Sequence, residues 1–185
     1  MLDWPTLVAA DVESGRRWII AGNIPYNITT PLIARALTPP LPALITFLVQ
    51  REVAARVTAE PGTKAYGALS IGVQAVAEAQ RLFAVSRGAF QPPPRVESAL
   101  LQLRPRADPL ITPDEAVRFR EFVTRIFSYR RKRMVHALRH AAKVTPAQAQ
   151  VLLSTASVDP DARPETLPPA AFAELFRVMG RGGRH

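Results

Sequence analysis

An α/β sheet followed by a small all-helical part is the fold class that this 185-residue sequence predicts. Three observations predict it. Short apolar runs of strand length, at 18–22 and 44–49, alternate with amphipathic stretches that suit helices. Two more strand-like runs, 81–86 and 96–103, follow one another as the ending of a β-hairpin would. Beyond a Pro-bearing boundary at 105–113 only helical periodicity remains.

Taken in order, Trp18, Ile19, Ile20, Ala21 and Gly22 read as a buried strand of a parallel sheet. Thr29 and Thr30 suit N-caps, Pro31 suits the first helical position, and Leu32, Ile33, Ala36 and Leu37 make an apolar stripe. That helix stops before Pro39-Pro40. The wholly apolar run 44–49 reads as a second strand, 50–59 as a helix with Val53, Ala54 and Val57 on one face, and 66–77 as another helix. The boundary residues expected are 1–106 for the α/β part, 107–180 for the helical part and 181–185 for a disordered tail. In the helical part Phe119, Phe122, Val123, Ile126 and Phe127 fall at i, i+3, i+4, i+7 and i+8, a strong amphipathic signature. Shorter helices are expected at 132–142, 146–154 and 168–179.

Composition narrows the function class. No apolar run approaches the ~20 residues that span a bilayer, and Met1-Leu2-Asp3-Trp4-Pro5 has neither the basic nor the apolar region of a signal peptide. With no cysteine there is no disulfide framework and no thiolate metal site, which fits a reducing, cytoplasmic setting. The net charge of +9 points to a polyanionic partner, nucleic acid before an anionic membrane. His136 and His140 are spaced as helical metal ligands can be, but their neighbours are cationic and no carboxylate or Cys joins them, so no metal site is expected.

The most informative stretch is Asn23-Ile24-Pro25-Tyr26, directly after the first strand. Ligands of open α/β sheets bind at the carboxyl ends of strands. An Asn amide oxygen and the backbone carbonyls beside Pro25 suit the two hydrogens of an exocyclic amine, and Tyr26 suits stacking on the ring that carries it. The competing reading is a Pro-containing strand-to-helix turn. Phe90 opens the run Phe90-Gln91-Pro92-Pro93-Pro94-Arg95, whose prolines favour a stiff extended segment. It reads either as a rigid connector or as a fixed aromatic wall paired with Tyr26. Arg130-Arg131-Lys132-Arg133 is the densest positive cluster, either a solvated helix end or a set of phosphate contacts that position without reading sequence.

With these residues in hand, the chain resembles the small-subunit rRNA adenine N6-dimethyltransferase family. The match is carried by Gly22-Asn23-Ile24-Pro25-Tyr26-Asn27-Ile28-Thr29-Thr30-Pro31, by Val49-Gln50-Arg51-Glu52-Val53-Ala54-Ala55-Arg56, by Tyr66-Gly67-Ala68-Leu69-Ser70, by Phe90 to Ser98, and by Phe127-Ser128-Tyr129-Arg130-Arg131-Lys132. The resemblance implies a Rossmann-like methyltransferase sheet with a helical rRNA-docking domain. It implies methyl transfer from S-adenosylmethionine to N6 of two adjacent adenosines near the 3′ end of 16S rRNA, by a monomeric enzyme of the immature small subunit. Asn23 would contact both cofactor and target amine, the backbone at Ile24 and Pro25 would accept from the amine, and Tyr26 and Phe90 would hold the flipped base. The family's Gly-rich cofactor loop and its ribose- and adenine-binding acids would lie before Met1, so most of the cofactor site is expected to be missing. A non-catalytic RNA-binding factor is the alternative that this gap motivates. A large-subunit rRNA methyltransferase is a third reading, opposed by the helical part with its Tyr129-Arg130-Arg131-Lys132 run.

Overall fold

The computed structural model describes residues 4–182. Helix α1 (Trp4–Glu13) leads into β1 (Ile19–Asn23), α2 (Thr29–Ala36), β2 (Leu44–Gln50), α3 (Arg51–Val57), α4 (Ala68–Gln74), β3 (Ala77–Val85) and β4 (Ser98–Pro105). Four helices follow with no strand between them: α5 (Ala116–Phe127), α6 (Met134–Ala142), α7 (Pro146–Thr155) and α8 (Pro169–Gly182). The four strands lie in the order β1-β2-β4-β3. β1 and β2 run parallel, while β4 is antiparallel to both β2 and β3.

Period-2 alternation decides which side of this sheet is covered. Ile45, Phe47 and Val49 of β2 stand in register with Leu103, Leu101 and Ala99 of β4, and all six are buried. Removing each large member of this set from water contributes about 1.5–3 kcal/mol. The opposite face is only half covered at Leu48 and Leu100, and Phe83, in register with Leu100, is 57% exposed.

The helical part is built on the stripe of α5. Phe119, Phe122, Val123 and Ile126 are buried, and Phe176 of α8 meets Phe119 and Phe122 with ring centroids 5.6 Å from each. Phe127 reaches across to Tyr66 of the sheet part at 6.2 Å and to Phe172 of α8 at 5.8 Å. Tyr66 is fully buried, and its hydroxyl donates to the Leu167 carbonyl at 2.7 Å. Burial pushes its phenol well above the ordinary tyrosine range. Gly72 of α4 permits the close approach of α5, because a Cβ there would lie 3.0 Å from Arg120 Cγ. The buried residues of the sheet and the helices form one contiguous cluster.

Several expectations need correction. β1 is not a buried central strand; among the described residues it pairs on one side only, and Ile19 is 65% exposed. Apolar content alone cannot tell a central strand from an edge. Thr29 is not an N-cap but lies within α2, its hydroxyl turned back to the carbonyls of Pro25 and Tyr26 at 3.3 Å each. The helix expected over 66–77 is shorter, because Gly67 is fully extended and Ala77 already pairs with Pro105 in β3. β3 thus begins four residues before Arg81, and β4 starts at Ser98 instead of Val96. Helix α1 went unanticipated, since its Leu, Val and Ala residues make no clear stripe. At the other end α8 continues through Gly182, two residues into the segment expected as tail, and 183–185 lie outside the described residues.

Candidate active site

Pro25 organises the loop after β1. Its ring fixes φ near −55°, which ends the strand and turns the chain into a single 3-10 turn, Tyr26–Ile28, that runs straight into α2. The Ile24 amide donates to the Leu48 carbonyl at 3.1 Å, fastening the start of the loop to β2. Ile24 itself is buried, while Asn23 and Pro25 are exposed and Tyr26 is half-buried.

A second segment comes up beside this loop. Phe90 closes a short 3-10 turn (Arg87–Ala89) after β3, and the Pro run that follows returns the chain to β4. Asn23, Ile24, Pro25, Tyr26, Phe90, Pro92 and Pro94 line one open concavity of about 280 Å³. All five residues singled out in sequence for this chemistry therefore meet at one place, at the carboxyl end of β1. Phe90 is half-buried, as a wall that keeps one face free must be.

The polar groups of the concavity differ in their freedom. The Pro25 carbonyl accepts from the Ile28 amide at 3.2 Å and from the Thr29 hydroxyl at 3.3 Å, so both its lone pairs have donors. The Ile24 carbonyl accepts no hydrogen bond from the described residues, and the Asn23 side-chain amide makes none. Two acceptors without a donor among the described residues thus belong to adjacent residues that line the concavity. Tyr26 is held by a contact not foreseen from sequence: its hydroxyl lies 2.8 Å from that of Ser98, which is 1% exposed. Ser98 faces Gln50 across the β2–β4 ladder, and the Arg51 amide donates to the Glu97 carbonyl at 2.9 Å, so both strand ends brace the ring.

The basic cluster lies apart from this concavity, in the turn between α5 and α6 and not on a helix. Arg130 is paired with Glu165 through Nε and Nη2, both at 2.9 Å, and Arg133 with Asp161 at 2.7 Å. Arg131 and Lys132 are exposed and carry no partner among the described residues. His140 is stacked on Tyr129 with centroids 5.2 Å apart, and His136 lies 3.4 Å from Arg133, so each imidazole has a packing or polar neighbour. Among the described residues no helix is long and apolar enough to cross a membrane.

The chain matches known proteins along most of its length. Residues 1–180 match the family model for ribosomal RNA adenine dimethylase. A ribosomal RNA small subunit methyltransferase A of Shouchella clausii is 39% identical over 180 residues, covering 96% of this chain and 61% of that protein. Its Pseudomonas aeruginosa counterpart is 40% identical over 172 residues, covering 92% of this chain and 62% of its own. The chain therefore spans about six-tenths of the length of the curated relatives it matches. A dimethyladenosine transferase from Plasmodium falciparum superposes with a TM-score of 0.76 at 22% identity over 90% of this chain and 68% of its own. The 23S rRNA methyltransferase ErmE gives 0.63 at 23%, over 97% and 80%. These two likenesses speak to the fold alone, a Rossmann-like sheet with appended helices. The family match over nearly the whole chain speaks to kinship: the protein belongs to the ribosomal RNA adenine dimethylase family.

Proposed function

We propose that the whole protein transfers methyl groups to N6 of two adjacent adenosines near the 3′ end of 16S rRNA, twice each, during maturation of the small ribosomal subunit. The observation that supports this best is the convergence of Asn23, Ile24, Tyr26 and Phe90 on one concavity at a strand end. The partner is immature small-subunit rRNA, and the setting proposed is a monomer in the cytoplasm.

The chemistry follows from the amine. The N6 lone pair of adenine is delocalised into the ring, which makes it a weak nucleophile. In the reading proposed here, Asn23 Oδ1 and the Ile24 carbonyl accept its two hydrogens from outside the ring plane. That draws the nitrogen toward a tetrahedral shape and frees the lone pair. Preorganised dipoles of this kind are usually the largest single contribution to catalysis. Tyr26 and Phe90 hold the extruded base by stacking, as enzymes acting on a nucleobase require. The Pro25 carbonyl, engaged by Ile28 and Thr29, shapes the turn and leaves the acceptor role to its neighbour. After transfer the extra N6 proton leaves to water, so no carboxylate base is needed.

S-adenosylmethionine, when bound, supplies an electrophilic methyl whose sulfur departs as a neutral thioether. Asn23 fits one edge of its site, since it is exposed at the strand end and its amide has no partner among the described residues. The Gly-rich turn and ribose-binding acid that such a donor also needs are not found among the described residues. We assign them to the length by which the curated relatives exceed this chain.

A base-flipping experiment tests the site directly. A small-subunit rRNA hairpin carrying 2-aminopurine at the target position is expected to change fluorescence on binding. Tyr26→Ala combined with Phe90→Ala should abolish the change while RNA is still bound. An unaltered signal in that double variant would remove the stacking roles.

A further inference from the structure

Two larger hollows open beside the target-base concavity. The first, about 530 Å³, is lined by Arg51, Arg87 and Arg95 together with Glu52 and Glu97. The second, about 570 Å³, lies where the sheet part meets the helical part and has Arg56, Lys64 and Arg130 in its walls. These two share Glu52 and Ala55. Arg95 of the first directly follows Pro94 of the target-base concavity. Glu52 and Ala55 thus stand in both hollows, and the Pro94-Arg95 step of the chain leads from the concavity to the first of them, a succession that can serve as one groove.

The cations along it fall into two kinds. Arg51 is held by Glu97, and Arg130 by Glu165. Arg56, Lys64, Arg87 and Arg95 are all exposed and have no carboxylate partner among the described residues. Glu52, exposed in the walls of both hollows, is their one carboxylate without a cationic partner among the described residues, so four unpaired cations face one unpaired anion. Concave walls with such a net positive charge focus the field and raise the local concentration of a polyanion. Arginine's planar fork also matches phosphate oxygens. By contrast, half of the Arg130–Arg133 cluster is already neutralised within the fold.

We propose that this groove is the track of the RNA backbone. Phosphates flanking the base in the site lie along Arg95 and Arg87, and the strand passes Ala55 to Arg56 and Lys64 beside the helical part. The track grips phosphate and reads no sequence. It rests on the RNA-modifying reading above, which it deepens by naming where the strand leaves the site.

The test is fluorescence anisotropy of the 185-residue chain on a labelled small-subunit rRNA hairpin across a salt series. The variants are Arg56→Gln, Lys64→Gln, Arg87→Gln and Arg95→Gln, singly and combined, with an off-groove control, Arg17→Gln/Arg104→Gln. The plot of log affinity against log salt should flatten by about 0.7 for each single-strand phosphate contact removed. Off-groove losses should be negligible, and Arg87→Lys/Arg95→Lys, which keeps the charge, should restore most of the slope. Unchanged affinity and slope in the combined variant, with the wild type binding, would overturn the track and leave the RNA reading standing. Equal losses per residue in the control would overturn it as well, reducing it to a net-charge effect. Failure of the wild type to bind any RNA would sink both.

Discussion

The Tyr26 phenol oxygen lies 2.8 Å from the Ser98 hydroxyl, tying the turn after β1 to the first residue of β4 across 72 positions of sequence. A ring that must hold a base in one orientation gains from such a tether, because the hydroxyl end is fixed while the face stays open. Ser98→Ala should therefore act through Tyr26. Loss of this hydrogen bond is expected to cost about 0.5–1.5 kcal/mol of stability. The 2-aminopurine signal of the bound hairpin should fall by more than overall RNA affinity does. Equal falls in the two would mean that Ser98 is merely structural.

Tyr66 joins the two parts of the molecule through its bond to Leu167 and its contact with Phe127. Tyr66→Phe leaves the part-buried Leu167 carbonyl without this donor, and a loss of about 0.5–1.5 kcal/mol in urea unfolding is expected. The pH dependence has a definite sign. Burial raises the folded-state phenol above its unfolded value of about 10, so the neutral phenol's contribution is complete below that pH. It declines as pH rises further, because the unfolded chain releases the proton first. The stability gap between wild type and Tyr66→Phe should accordingly shrink between pH 9 and pH 11.

Among the described residues β1 pairs with β2 alone, and Ile19 at its start is 65% exposed. Unpaired strand edges of apolar character invite association with other chains. Ile19→Lys places a charge on that edge and should slow the growth of light scattering on warming. Because the side chain is exposed, the unfolding free energy is expected to shift by no more than about 0.5 kcal/mol. Unchanged scattering would show that association starts elsewhere.

Within the basic turn, the ion pairs separate the four side chains by role. Arg130 and Arg133 are bound to Glu165 and Asp161, whereas Arg131 and Lys132 have no ion-pair partner among the described residues. Arg131→Gln/Lys132→Gln should weaken RNA binding and flatten its salt dependence with little change in melting. Glu165→Gln should do the reverse, costing up to about 1 kcal/mol of stability, a figure already lowered for the partial exposure of the pair.

Local patterns carried much of this structure. The stripe of Phe119, Phe122, Val123 and Ile126 announced α5, and Pro25 after an apolar run announced the turn that the site is built on. Asn23, Tyr26 and Phe90 were legible because their side-chain types suit one amine-bearing ring, and the structure brings them to one concavity. What stayed hidden depends on partners distant in sequence. Ser98 was an unremarked strand residue until the fold set it against Tyr26. Glu165 and Asp161 have no local signal that marks them as neighbours of Arg130 and Arg133. The exposure of β1 follows from a sheet order, β1-β2-β4-β3, that no single strand encodes. Arg56, Lys64, Arg87 and Arg95 are scattered in sequence and only the folded surface lines them up.

In the mechanism proposed above, Asn23 and the Ile24 carbonyl activate an adenine amine in this concavity. The most direct measurement is nucleoside mass spectrometry of small-subunit rRNA treated with the chain joined behind the preceding segment of a curated relative, as wild type and as Asn23→Ala. N6,N6-dimethyladenosine is expected from the wild type and a rate about 10²–10³-fold lower from the variant, the loss typical of removing one preorganised polar group. Methylation at an undiminished rate by Asn23→Ala, with RNA bound normally, would contradict this mechanism.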